Sequence, residues 1–127
     1  MTGVQTCALP ICAPRPPQVA VARCLPELAG WRAENRLEID YRRRALIDIM
    51  AEIPDWEIET IGAYFSYIKH PYPNRSSVEV AKILAEERGV VCLPGAFFGE
   101  AQDAYLRFAF ANVTSNELKA LVDRLVF

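Results

Sequence analysis

Apolar residues Ala45, Leu46, Ile49, Met50 and Ile53 recur at i, i+1, i+4, i+5 and i+8. That spacing is one stripe of an amphipathic helix. It predicts helix over most of Glu27 to Ile53, stopped by Pro54-Asp55. Upstream, the proline-rich stretch Ala13 to Pro17 predicts extended chain, and Gln18 to Leu25 a short helix ending near Pro26. Downstream the pattern shortens. Trp56 to Thr60 is a short strand candidate, Ile61-Gly62 a turn or bulge, and Ala63 to Lys69 a second strand rich in aromatic and β-branched residues. Two prolines make His70 to Asn74 a loop. Helical spacing then returns. Ser76 and Glu79 form a capping box opening a helix through Arg88, with Val80, Ala81, Ile83 and Leu84 inward and Gly89 just past its end. Val90 to Leu93 and Ala104 to Ala111 are further strands. Thr114 and Glu117 form a second capping box, and Leu118, Leu121, Val122 and Leu125 give the stripe of a last helix.

The order after the long helix is β-β-α-β-β-α. This predicts an α+β fold, a small, mostly antiparallel sheet covered by helices and preceded by a long connecting helix. The organisation expected is residues 12–53 as an N-terminal helical segment and 54–127 as the small α+β domain. No internal repeat or low-complexity tract interrupts it.

A chain of 127 residues holds one domain with a real core. Its formal net charge of −2 and 24% charged residues argue against a nucleic-acid partner. The basic run Arg42-Arg43-Arg44 has acidic partners at helical spacing, Glu38 for Arg42 and Asp40 for Arg44, and reads as a solvated helix face. No apolar run is long enough for a bilayer, so no membrane partner is expected. The four cysteines fit neither a zinc site nor a disulfide framework, and with His70 as the sole histidine no metal site is expected. Free cysteines suit a reducing cytoplasm.

Candidate chemistry centres on Arg107. Alternation along Ala104 to Ala111 puts Leu106, Phe108 and Phe110 on one face and Tyr105, Arg107, Ala109 and Ala111 on the other. A guanidinium keeps its charge inside a protein, so a strand arginine normally meets an anion. The small residues beside Arg107 leave room for one to approach, and its planar fork suits a carboxylate. An internal ion pair to Glu or Asp is the competing explanation. Just before this strand, Pro94-Gly95 and Phe98-Gly99 form a loop whose glycines permit left-handed backbone or close approach.

Four motifs stand in register: Gly62-Ala-Tyr-Phe-Ser-Tyr67, the capped helix ending Arg88-Gly-Val90, Leu93-Pro-Gly-Ala-Phe-Phe-Gly99, and Tyr105-Leu-Arg-Phe-Ala-Phe-Ala111. Together they resemble the C-terminal small domain of the class I/II aminotransferases, pyridoxal-phosphate enzymes of fold type I. Ile11-Cys-Ala-Pro-Arg15 and Gln18 resemble the family segment entering the first helix. The resemblance implies transfer of an amino group between an amino acid and a 2-oxo acid, with Arg107 binding the substrate α-carboxylate. It implies that Tyr64 lines the substrate pocket and that Pro94, Gly95, Phe98 and Gly99 shape the loop before the arginine. It implies pyridoxal 5'-phosphate as cofactor of the full-length enzyme, which is expected to be a homodimer.

The departures define what this chain lacks. Lys69, Lys82 and Lys119 are its only lysines, and none has the serine-rich, glycine-flanked setting of the family's Schiff-base lysine. No catalytic and no cofactor-binding residue is therefore assigned, and the chain alone is expected to be inactive. Residues 1–11 resemble a translated sequencing adapter and are expected to be non-native, with the natural N-terminal part missing. The alternative is a non-catalytic α+β module for ligand sensing or dimerisation; the long helix from Glu27 disfavours the former.

Overall fold

The computed structural model describes residues 14–126; the expectations for residues 1–11 and for Cys7 and Cys12 lie outside them. The chain divides into two compact units, Met1–Arg36 and Leu37–Phe127. The first unit contains α1 (Arg15–Cys24) and the start of α2 (Ala29–Ala51). Pro16 and Pro17 lie in the first turn of α1 rather than in extended chain. Proline is tolerated there because first-turn N–H groups have no intrahelical acceptor and its φ is already helical.

The second unit continues α2 and adds β1 (Glu57–Gly62), β2 (Phe65–Lys69), α3 (Ser77–Arg88), β3 (Leu93–Pro94), a 3₁₀ turn (Gly95–Phe98), β4 (Tyr105–Ala109), α4 (Ser115–Leu118) and α5 (Leu121–Arg124). The strands form one antiparallel sheet in the order β1-β2-β4-β3. The expected α+β architecture is present.

Several boundaries moved, each for a local reason. β1 runs through Ile61-Gly62, and the chain reverses at Ala63-Tyr64, with Ala63 at φ 49°. The irregularity lies upstream, where Ile58 pairs with Ile68 and Thr60 with Tyr67. The extra residue, Glu59, lets Ile58 and Ile61 both pack on the core although they are three apart. Only Leu93–Pro94 pairs as β3; Val90 instead donates its N–H to the Leu84 carbonyl at 2.8 Å and completes the end of α3. The predicted last helix is two short ones, α4 and α5, although Leu118, Leu121 and Leu125 are buried as the stripe required.

Both capping boxes form as expected, Ser76 with Glu79 and Thr114 with Glu117. Gly89 ends α3 at φ 63°. Leu46, Ile49, Met50 and Ile53 are buried, joined by Val80, Ala81 and Leu84 of α3 and by Ile68, Leu106, Phe108 and Phe110 from the sheet side. Trp56 closes one end, donating its Nε1–H to the Leu125 carbonyl at 3.1 Å and meeting Tyr72 and Phe108 edge-on. Arg42 pairs with Glu38 at 2.7 Å and Arg44 with Asp40 at 2.7 Å, as their spacing required. Arg42 also donates to the Ala111 carbonyl, pinning α2 to the turn after β4.

Candidate functional site

With one sheet face committed to the core, the other carries the side chains that chemistry can use. β2 places Phe65, Tyr67 and Lys69 there. β4 places Tyr105, Arg107 and Ala109, and Leu93 of β3 stands opposite Arg107. Arg107 sits between neighbours on both sides, opposite Tyr67 of β2 and Leu93 of β3.

Arg107 is half-buried. Ion pairs join Arg42 to Glu38, Arg43 and Arg44 to Asp40, and Lys69 to Glu57, whereas Arg107 is in no ion pair among the described residues. Its guanidinium carbon lies 4.4 Å from the ring centroid of Phe65 and 4.4 Å from that of Phe98. Phe65 comes from β2 and Phe98 from the turn following β3, so the rings reach the guanidinium from the two strands flanking β4. An aromatic face attracts a cation without supplying a counter-charge, worth about 0.5–2 kcal/mol per contact. The charge of Arg107 is thus held but not neutralised.

A small aromatic array backs Phe98. Tyr67 meets Phe98 edge-on at 6.3 Å and stacks on Tyr105 at 5.0 Å. The Tyr67 hydroxyl donates to Oε1 of Gln102 at 2.9 Å. Burial, with the Tyr105 phenol second, raises the Tyr67 pKa above the ordinary phenol value, so this tyrosine stays neutral.

The loop reaches this position because Gly95 has no side chain. A Cβ there would stand 2.0 Å from the Gln102 carbonyl oxygen, 2.6 Å from that of Tyr105 and 2.9 Å from the Tyr67 hydroxyl. Gly95 is therefore demanded by close approach, not by left-handed backbone. Gly99 is the converse, with open space around it and φ 141°. Pro94 is buried and leads into the 3₁₀ turn.

A polar latch ties the same loop to α3. The Ser77 N–H and hydroxyl both donate to Oδ1 of Asp103, and the Ala96 N–H donates to the Ser77 hydroxyl oxygen at 3.2 Å. These bonds, the Ser77 hydroxyl first and its N–H second, hold the Asp103 carboxyl below the usual carboxylate range. His70 is buried beside them. Its Nδ1 accepts from the Tyr72 N–H at 3.3 Å, so Nε2 carries the proton and donates to the Asp103 carbonyl at 3.0 Å.

Of the residues singled out in the sequence, Arg107 and Phe98 are in contact, while Pro94, Gly95 and Gly99 frame the turn that carries Phe98. Tyr64 lies in the β1–β2 reversal with its ring exposed, and its carbonyl accepts from the Phe110 N–H at 3.1 Å. The ring on Arg107 from this strand is the next residue, Phe65. Phe65, Tyr67, Gln102, Asp103 and Ser77 were not assigned from sequence. Alternation does put Phe65 and Tyr67 on one face, but their nearness to Arg107 needs the β2–β4 pairing, which no local pattern encodes.

Residues 3–125 match the family model described as aminotransferase class I and II. The chain is 26% identical over 111 residues to aromatic-amino-acid aminotransferase 2 of Thermococcus litoralis, covering 85% of this chain and 28% of that protein. It is 27% identical over 110 residues to an aspartate aminotransferase of Pyrococcus abyssi, covering 85% and 28%. The crystal structure of an aromatic aminotransferase from Pyrococcus horikoshii OT3 superposes with a TM-score of 0.69 at 26% identity, covering 85% of this chain and 29% of that one. The chain thus spans under a third of the length of these relatives.

Proposed function

The chain belongs to the class I and II aminotransferases, and we propose that it is the carboxylate-binding part of an enzyme that moves an amino group between an amino acid and a 2-oxo acid. The observation that carries this reading is Arg107: a half-buried guanidinium on the open sheet face, clasped by two phenyl rings and joined to no carboxylate among the described residues. A substrate α-carboxylate would take two parallel N–H···O bonds from its fork. That contact fixes one end of the substrate, and orientation at the reacting carbon follows from it. Tyr64, at the rim of the same sheet, belongs to this reading as a pocket-lining residue.

The family's cofactor is pyridoxal phosphate, which supplies an electron sink for such reactions. The described residues do not fit it. Lys69 is paired with Glu57 at 3.9 Å, and Lys82 and Lys119 are exposed on other elements. The N–H groups opening α3, a natural phosphate cradle, are already taken: that of Ser76 by the Glu79 carboxylate, that of Ser77 by Asp103 and that of Glu79 by the Ser76 hydroxyl. The Schiff-base lysine and cofactor cradle are therefore assigned to residues outside this chain, and the chain alone is read as inactive. A homodimeric enzyme is part of the same reading and rests on the family; free Cys24 and Cys92 fit a reducing cytoplasm.

The test is titration of the purified chain with 2-oxoglutarate, followed by NMR. Binding in the millimolar range that disappears in Arg107→Ala is the expected result. Binding that survives Arg107→Ala, or amino-group transfer by the chain with added pyridoxal phosphate, would overturn the proposal.

A further inference from the structure

We infer that Phe65 and Phe98 are positioning residues for Arg107: they hold its guanidinium fork at the open sheet face in place of the carboxylate that usually anchors a buried arginine. This deepens the carboxylate-binding reading of Arg107 and rests on it for the ligand, but not for the contact itself.

The argument begins with what an arginine side chain does unaided. It has large rotamer freedom, and a ligand that finds it disordered must supply that ordering on binding. Structural arginines escape the problem through an ion pair, as Arg42 and Arg43 do here with Glu38 and Asp40. An ion pair at Arg107 would fix the fork but occupy it. Two ring faces at 4.4 Å hold the guanidinium without offering an oxygen acceptor to its N–H groups.

Phe98 is itself supported from behind. It is held edge-on by Tyr67, itself stacked on Tyr105 and bonded to Gln102. The turn bearing Phe98 is tucked in by Gly95 and latched through Ala96 to Ser77 and Asp103. Yet Phe65 and Phe98 themselves are 40% and 45% exposed. Neither is core, so burial in the hydrophobic core does not account for two large rings at these positions.

The experiment uses the purified chain and the Nε–Hε resonance of Arg107, assigned by its loss in Arg107→Lys. Phe65→Leu and Phe98→Leu keep apolar bulk and remove the ring; Phe98→Trp keeps the ring. Amide dispersion checks that each variant is folded. Without ligand, the Arg107 Nε–Hε order parameter is expected to be high in wild type and Phe98→Trp and clearly lower in both leucine variants. With acetate as probe, the leucine variants are expected to bind about three- to tenfold more weakly, and Phe98→Trp within about twofold of wild type. An order parameter unchanged by the leucine substitutions overturns the proposal, as does acetate binding that they leave intact. If wild type binds no acetate while the leucine variants still loosen Arg107, the positioning role stands and the carboxylate reading falls.

Discussion

Ser77 directs both its backbone N–H, at 2.8 Å, and its hydroxyl, at 2.7 Å, to one carboxylate oxygen of Asp103. Twenty-six positions apart, these residues join the first turn of α3 to the segment leading into β4. The bonds are stronger to the ionised carboxylate than to the neutral acid, which is why the Asp103 pKa is depressed in the fold. A depressed folded pKa contributes stability that is present above the unfolded value, about 3.9, and lost as pH falls through the lower folded value. Asp40, Glu79 and Glu117 are shifted the same way. The urea midpoint is therefore expected to drop on moving from pH 6 to pH 3. Asp103→Asn is expected to lower the midpoint at pH 6 and to shrink this drop without abolishing it. An unchanged drop in Asp103→Asn would show that the latch carries none of the acid sensitivity.

Two glycines that look alike in sequence should respond oppositely to alanine. At Gly95 the new methyl would press on two carbonyl oxygens of the backbone, which cannot move aside as a side chain could. Gly95→Ala is expected to cost about 2–4 kcal/mol. Gly62 has open space around its Cβ position, and Gly62→Ala is expected to be neutral or slightly stabilising. Thermal melting of the two variants side by side checks the contrast.

Within the basic run of α2, sequence neighbours differ in worth. Arg42 donates to the Ala111 carbonyl across the fold, whereas Arg44 only meets Asp40 on the surface. Arg42→Ala is expected to destabilise by about 1–2 kcal/mol, and Arg44→Ala by less than about 0.5 kcal/mol. Equal urea midpoints for the two variants would contradict this assignment.

Cysteine reactivity follows burial. The Cys92 thiol is pushed up to about 12 by desolvation, so almost none is thiolate at pH 8. Cys24 is exposed. Brief treatment with iodoacetamide at pH 8, read by peptide mass mapping, is expected to label Cys24 at least about tenfold faster than Cys92. Labelling of Cys92 should rise sharply in denaturant.

Much of this molecule is decided locally. The stripe Leu46, Ile49, Met50 and Ile53, the two capping boxes and the inward set Leu106, Phe108 and Phe110 are short-range patterns, and hydrophobic burial enforces them once the chain collapses. The identity of Arg107 as the candidate ligand-binding group was legible for the same reason: one charge on the outer face of an alternating strand. What local pattern could not supply was anything that depends on strand order. The sequence determined that Arg107 faces away from the core; only the order β1-β2-β4-β3 decided that Phe65 would stand on one side of it and Phe98 on the other. It determined that Gly95 lies in a loop; only packing decided that a Cβ there would meet Gln102 and Tyr105. Long-range pairing is paid for by the whole core at once, so no single segment carries its signature.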